Sequence, residues 1–421
     1  MIFEKKTINS FAIYKKYKRK IATFKLNSKL EKVEYFLPLG NLQSYGEICI
    51  PESESYGVCI DKKIKTIQVD TNRLIVKVSS NIEVNYLLKY LEKFYKCYLR
   101  VLPGAAVATV GGCIAADVHG KSSHKYGSFG DHIISITLID INTHKLTKIT
   151  SEDNLFAYTI GGFGATGLII EAELKIYEMP GSSIIIDSLK INSHEKLISK
   201  LIEYSNNYDE VGVWFSIQKD NFLSKIIYGK WCDDTSKNKK SYLKLLKPII
   251  FLILGNINVY KKAYKFISQY IYNQNNLEIL SQNDATFPLS HTKGWEKLFG
   301  NSLVERQFLI KTSLAEDFFT LLIILMRDYE INSPFCAIKV FNGNRIGLMS
   351  FAQEGVAFNI LYRSEQRDFS NKLSALLVKF NAPEYLAKCN KEHTTFPNGY
   401  FNFEQWMILL EKNKIKSQFF N

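Results

Sequence analysis

Apolar and polar positions alternate with a period of two in several short runs of this chain, and each run predicts a strand. Residues 64–69 and 74–78 alternate on either side of Asp70, Thr71 and Asn72, which predicts a β-hairpin. Ile134, Ile136 and Leu138 alternate, the chain turns at 142–144, and 146–149 returns. Ile170, Ala172, Leu174 and Ile176 alternate with Glu171, Glu173, Lys175 and Tyr177, a strand with one wet face. Between these runs the period changes. Ser80, Asn81, Ile82 and Glu83 spell a capping box, after which Val84, Leu87, Leu88, Leu91 and Phe94 fall on one helical face. Residues 33–60 show neither period and read as irregular.

Pro180 closes this half. Beyond it, 184–189, 211–217, 225–231 and 304–310 predict strands, and 193–205 predicts a helix. Ser313 to Glu316 form a second capping box, opening a helix through Tyr329. Short strands are expected at 335–341, 346–352 and 356–362, then a helix at 366–380. That order suggests an antiparallel sheet with helices on one face, and an α+β chain overall. With 421 residues the chain exceeds one ordinary core, so two domains are expected. Its 46% hydrophobic and 23% charged residues are those of a soluble globular protein.

Composition departs from the rest of the chain at 101–130. This stretch holds six of the 23 glycines and five alanines, together with Asp117, His119 and Lys121. Small residues bury little apolar area, so such a run does not build a core. It lets backbone approach something large and flat. Residues 162–167 match GxGxxG, but that dinucleotide fingerprint needs a helix to follow, and a strand follows here. The Rossmann reading is therefore rejected. The seven cysteines form no CxxC pair, which argues against a disulfide framework or zinc site and for a reduced, cytoplasmic protein. His119, His124 and His132 share no helix face, so no metal site is expected, and His124 and His132 read as structural. No apolar run of signal-peptide length occurs near Met1.

The net charge of +13 is clustered. Lys15, Lys16, Lys18, Arg19 and Lys20 interleave with Tyr14 and Tyr17. A second basic run, 237–247, leads into the apolar 248–254, far short of the ~20 residues that span a bilayer. A basic flank beside a short apolar segment suits docking of 237–254 on an anionic membrane surface, peripherally on its inner face; the other reading is a core helix with a solvated basic face. No nucleic-acid module accompanies the charge, and no nucleic-acid partner is expected.

One resemblance gathers these features. Pro103 and Gly104, Thr109 to Gly112, Asp117-Val-His-Gly-Lys121 and Gly127-Ser-Phe-Gly130 resemble the flavin-binding domain of the vanillyl-alcohol-oxidase (PCMH-type) superfamily. Gln43, Ser44, Tyr45 and Gly46 stand where that family has its pyrophosphate loop, and Asn154, Leu155, Phe156 and 161–167 match its second glycine motif. Within the family, the likeness to oxidases of lipid-linked sugars extends through Phe287, Pro288 and Leu289, Gly294 and Trp295, 306–308, 338–341, Phe358 and Asn359, and 385–388.

The resemblance implies an FAD-binding domain, 1–179 completed by 384–421, and a substrate domain, 180–383. Flavin would be held by Gly40, Gln43, Ser44, Tyr45, Gly46, Pro103, Gly104, Thr109, Gly111, Gly112, Ala115, Ala116, His119, Gly120, Gly167, Ile169 and Tyr385. Lys388, His119, Lys339 and Gln307 would carry the chemistry, with Tyr45, Phe341, Asn359 and Lys121 lining the substrate pocket. A lysine can accept a proton only if burial or a cationic neighbour lowers its pKa, and Lys339 and Lys388 would do this to each other if they met. The first loop has no histidine, so the FAD is expected to be non-covalent. Leu42 and Gln43 replace a glycine and an arginine usual in the family loop, and Asn359 stands about where some relatives have a pocket cysteine. The implied activity is oxidation of a secondary hydroxyl of a polyprenyl-phosphate-linked sugar to a keto sugar, with an NAD(P)H-dependent short-chain reductase completing an epimerisation for a cell-surface glycan. Rival readings are a soluble oxidase of sugar alcohols or aldonolactones using oxygen, and a flavin-free scaffold of a glycan-assembly complex.

Overall fold

The computed structural model describes residues 2–12, 15–25, 33–140, 143, 145–218, 221–234, 268–269, 271–273, 277–288, 299, 303–334, 336–343, 346–347, 349–394 and 403–420. The basic and apolar segment 237–254, Leu289, Gly294 and Trp295 lie outside them.

Three main sheets organise these residues. The first has four strands, in the spatial order Ile2–Ile8, Tyr17–Phe24, Tyr56–Ile60, Phe36–Pro38. The first pair is antiparallel and the others are parallel. Residues 33–60 therefore contain two strands where the sequence reads as irregular. Each is too short to show a period, and parallel pairing buries both faces of Tyr56–Ile60, which removes the alternation. Ala22, Phe24, Phe36 and Val58 share a core with Trp406 and Leu410 from the helix Phe403–Lys412. The chain end thus closes the sheet made by its beginning.

The second sheet is antiparallel, in the order Ile67–Asp70, Ile75–Ser79, Leu168–Lys175, Ile133–Ile139, Leu146–Thr150. Helix Val84–Tyr95 covers it through Val84, Leu87, Leu88 and Leu91. Two expectations are corrected here. Glu83 is the N-cap, without a side-chain cap bond, because the Ser80 hydroxyl donates instead to the Ile169 carbonyl (2.6 Å). Phe94 leaves the buried face and is 59% exposed. The glycine turn at 161–167 runs straight into a strand, with φ of +69° at Gly161, +87° at Gly164 and +117° at Gly167.

The third sheet has seven antiparallel strands, in the order Glu278–Leu280, Ser183–Ile191, Asn221–Cys232, Glu210–Gln218, Cys336–Phe341, Gly355–Arg363, Leu303–Ile310. Helices Leu197–Asn207, Ala315–Asp328 and Arg367–Lys379 pack on one face, where Leu201, Phe318 and Leu373 meet Phe215, Phe308 and Phe358. The period of two then decides the other face. Because Arg306 and Phe308 turn toward the helices, Glu305 and Gln307 turn away, and Lys339 and Asn359 join them in neighbouring registers. Two local expectations fail. The described residues among 346–352 form no strand, and Phe351 is buried there instead. The helix expected from Ser313 begins at Ala315, after a 3-10 turn Thr312–Leu314, with no side-chain cap.

Candidate active site

A cavity of about 1230 Å³ lies between the loop 37–45, the glycine-rich stretch and the face of the seven-stranded sheet turned away from those three helices. That exceeds the roughly 300–1,000 Å³ of ordinary small-molecule pockets. Pro103, Gly104, Thr109, Gly111, Gly112, Ala115, Ala116, His119, Gly120 and Lys121 form one wall. Thr109 starts the helix Val110–Ala115 by accepting the Gly112 amide (3.2 Å), and the Gly111 amide donates to the Ser80 carbonyl (2.7 Å). The glycines do two jobs. A Cβ at Gly111 would stand 2.9 Å from Ser80 Cβ, and one at Gly120 would stand 2.4 Å from the Leu102 carbonyl oxygen, so these two let protein backbone close on itself. A Cβ at Gly104 would meet nothing, and one at Gly112 would meet only the Thr109 hydroxyl, so these two leave the cavity open.

Gly40, Gln43, Ser44 and Tyr45 line the opposite edge, and Gly167 and Ile169 the base between. Gly46 does not line it. Its hydrogens face the Cys389 carbonyl, which a Cβ would overlap at 1.5 Å, while the Tyr45 amide donates to the Ala387 carbonyl (2.8 Å). Leu42 adopts a left-handed φ of +53°, the conformation a glycine would occupy without strain. The Gln43 amide group folds back on the Asn41 carbonyl (2.8 Å), and the Asn41 side chain donates to the Val107 carbonyl (2.8 Å). Asp117 is absent from the wall: buried at φ +41°, it accepts the Gly130 amide (2.8 Å), and burial raises its pKa to about 6.

The inner end gathers the charged groups. His119 Nε2 receives a hydrogen bond from the Gln307 side chain (2.7 Å). Its ring is clamped by Phe341 (4.7 Å), Tyr385 (4.8 Å) and Phe351 (5.5 Å). Phe341 thus supports His119 from behind and does not line the cavity, contrary to expectation. Burial, with the nearby Lys339 and Lys388 charges, holds the His119 pKa well below its usual value, so the imidazole is neutral. The Tyr385 hydroxyl donates to the Ala116 carbonyl (3.0 Å), joining the C-terminal return to the glycine-rich wall.

Lys388 Nζ sits 3.1 Å from Glu305 Oε1 and 3.3 Å from the Tyr45 ring centre. Asn359 donates to the same Glu305 oxygen (2.6 Å). Burial lowers the Lys388 pKa and Glu305 opposes the shift. Lys339 falls to about 8, through burial and then the charges of Lys388 and Lys121. Lys121 donates to the Ala285 carbonyl, and burial lowers its pKa too. Glu210, on the same wall, rises to about 7 because burial outweighs the pull of Lys121. Glu305 and Glu210 carry no motif in the sequence. Strand alternation places Glu305 beside Gln307, but nothing local marks Glu210. Arg306, one residue on, is buried with Glu384 (2.8 and 2.5 Å), which fastens the return that carries Tyr385 and Lys388.

The walls fit a bound dinucleotide. Asn81, His119, Gln282, Asn283 and Gln307 line the cavity, and each has a buried polar atom (Oδ1, Nδ1, Oε1, Oδ1 and Oε1) with no partner among the described residues. Buried polar atoms are rarely left so, and a ligand can satisfy them. Elsewhere, His124 is held by the Lys121 and Tyr208 carbonyls (3.0 and 2.9 Å), and His132 by the Tyr177 hydroxyl and Tyr126 carbonyl (2.8 and 3.0 Å).

Comparison with known proteins adds an independent line. Residues 30–150 match the family model described as an FAD binding domain. The chain is 27% identical over 363 residues to decaprenylphosphoryl-beta-D-ribose oxidase of Mycolicibacterium smegmatis, covering 80% of this chain and 77% of that protein. It is 30% identical over 134 residues to D-lactate dehydrogenase of Anaerostipes hadrus (30% of this chain, 28% of that protein). It is also 33% identical over 93 residues to berberine bridge enzyme-like 4 of Arabidopsis thaliana (21% and 17%).

Proposed function

Because the chain is a PCMH-type, FAD-dependent oxidoreductase acting on alcohol groups, we propose that its substrate is a sugar carried on a polyprenyl phosphate. A secondary hydroxyl of that sugar becomes a ketone, and a separate NAD(P)H-dependent short-chain reductase returns it with inverted configuration. In this reading the chain is the oxidase half of an epimerase for a cell-surface glycan. It divides into an FAD domain, 1–179 with 384–421, and a substrate domain, 180–383. The relative that is similar over most of both chains is named for a polyprenyl-linked ribose, which supports this substrate class.

The observation that carries the proposal is the inner end of the cavity, where Lys339 and Lys388 lie near a neutral histidine, with Lys121 on the same lining, beyond a wall of glycine and alanine. Gly40, Ser44, Tyr45, Gly104, Thr109 and Gly112 would hold the dinucleotide, with Ala115, Ala116 and Gly120 leaving room for its ring. FAD supplies a hydride acceptor when bound. The remaining work falls to this chain. Lys388, kept cationic by Glu305, polarises the substrate oxygen. Lys339, with a pKa of about 8, is partly neutral near physiological pH and takes the hydroxyl proton. Gln307 fixes the His119 ring, and His119, Lys121 and Asn359 orient the sugar. The aromatic clamp of Phe341, Phe351 and Tyr385 excludes water around His119.

Flavin bleaching without oxygen tests the reading. A polyprenyl-phosphate-linked pentose should bleach the FAD-loaded protein, and free polyols should not. Rapid peroxide formation from a free polyol in air would overturn the lipid-linked substrate in favour of a soluble oxidase.

A further inference from the structure

Helix Val84–Tyr95 buries Val84, Leu87, Leu88 and Leu91, so its opposite side should be polar. That side carries Lys89 and Lys93, but Tyr86, half-buried Tyr90 and Phe94 follow one another at intervals of four, running from it along the helix flank. Their rings form a row: Tyr86 and Tyr90 stack at 6.5 Å, and Tyr90 meets Phe94 at 5.0 Å. Tyr86 is 52% exposed and Phe94 59%. Lysines frame the row. Lys65 Nζ lies 6.0 Å from the Tyr86 ring centre and Lys93 Nζ 5.0 Å from that of Phe94, with exposed Lys89 and Lys96 on the same element. Glu92, on the same helix and near Asp284, is half-buried, and burial raises its pKa.

The row also borders the cavity. Asn85 and Lys89 line it, as does Val107. Val107 is 40% exposed at the tip of a loop whose Ala106 and Ala108 carbonyls accept the Asn85 and Val84 amides (3.2 and 2.9 Å). A surface that offers exposed aromatic rings, amphipathic tyrosines and lysines together matches the chemistry of an anionic bilayer's interface. Rings enter the headgroup zone there, and ammonium groups meet lipid phosphates.

We propose that this face, Tyr86, Tyr90 and Phe94 with Lys65 and Lys93, docks the protein on an anionic lipid surface and sets the cavity mouth against it. The proposal rests on the lipid-linked substrate for its purpose, but not for its test. The FAD-loaded full chain is floated with vesicles of phosphatidylcholine, alone or mixed with phosphatidylglycerol. Wild type should bind only the anionic vesicles, less at high salt. Tyr86→Ser with Tyr90→Ser and Phe94→Ser should lose binding. Lys65→Glu with Lys93→Glu should weaken it by at least about fivefold per lysine. Unchanged FAD content confirms that the variants fold. Equal binding by variants and wild type, equal binding to neutral vesicles, or no wild-type binding overturns the proposal. So does a wild-type dimer that the aromatic variant converts to monomer, since a second copy would then own the face. Flavin bleaching by a detergent-solubilised lipid-linked sugar reads the substrate separately, so either idea can fail alone.

Discussion

Replacing Glu305 by Gln probes the inner end of the cavity without changing its shape. Glutamine keeps an oxygen where Asn359 (2.6 Å) and Lys388 (3.1 Å) donate, so only the charge is lost. At 3.1 Å and an effective dielectric of about 20, the direct attraction removed is about 5 kcal/mol. The net penalty is smaller, because an unpaired Lys388 can release its proton. That release costs about 1.4 kcal/mol per pH unit below the unfolded lysine pKa of about 10.4, or about 4.6 kcal/mol at pH 7 and 1.9 at pH 9. Truncating one partner of a buried pair typically costs about 3–5 kcal/mol. The expected loss is therefore about 3 kcal/mol at pH 7 and under about 2 at pH 9. The sign follows from linkage. The Lys388 pKa is depressed by folding, and Glu305 opposes that depression, so the variant depresses it further. The folded variant then binds fewer protons than its unfolded chain below about pH 10, and its stability climbs with pH more steeply than that of wild type. Urea midpoints of both proteins at the two pH values give the comparison. A deficit below about 1 kcal/mol at pH 7, or one that does not shrink at pH 9, would mean that Glu305 does not hold the Lys388 charge.

Three further outcomes are expected. Gly112→Val should fold but lose FAD, because its side chain meets only the Thr109 hydroxyl and then projects into the cavity; a variant purified with full flavin absorbance would show the wall is misassigned. Turnover should rise with pH through about 8 as Lys339 deprotonates, and Lys339→Met should abolish that limb along with most of the rate; a pH profile unchanged in the variant removes Lys339 as the proton acceptor. Leu42→Gly should be tolerated and add up to about 1 kcal/mol, since it relieves a left-handed φ of +53° at some cost in chain entropy; a thermal midpoint lowered by several degrees would mean the leucine side chain packs usefully.

Much of the fold was legible along the chain. The strands at 133–139, 168–175, 210–218 and 303–310 announce themselves by alternation, because one face of each is wet or lines a different layer. In the first sheet Phe36–Pro38 and Tyr56–Ile60 were not legible, because short strands in parallel pairing leave no period. The first capping box failed for a tertiary reason: the Ser80 hydroxyl takes an acceptor the fold brings near, Ile169, 89 residues away; at the second, a 3-10 turn occupies Thr312–Leu314. Phe94 looked like a core residue by spacing, yet helix rotation set by four smaller residues leaves it outside.

The site divides the same way. By itself the sequence determined that 101–130 is a thin wall of small residues, since density of glycine and alanine is a property of the string. Which glycines face open space and which face protein was fixed by folding, because that depends on Ser80, Leu102 and Cys389, none of them a near neighbour in sequence. Folding likewise decided that Phe341 backs His119, that Glu305 and Glu210 join three lysines, and that Lys339 falls to about 8. Those are consequences of burial and of charges brought together from segments as far apart as Lys121 and Lys388, and no local pattern encodes either.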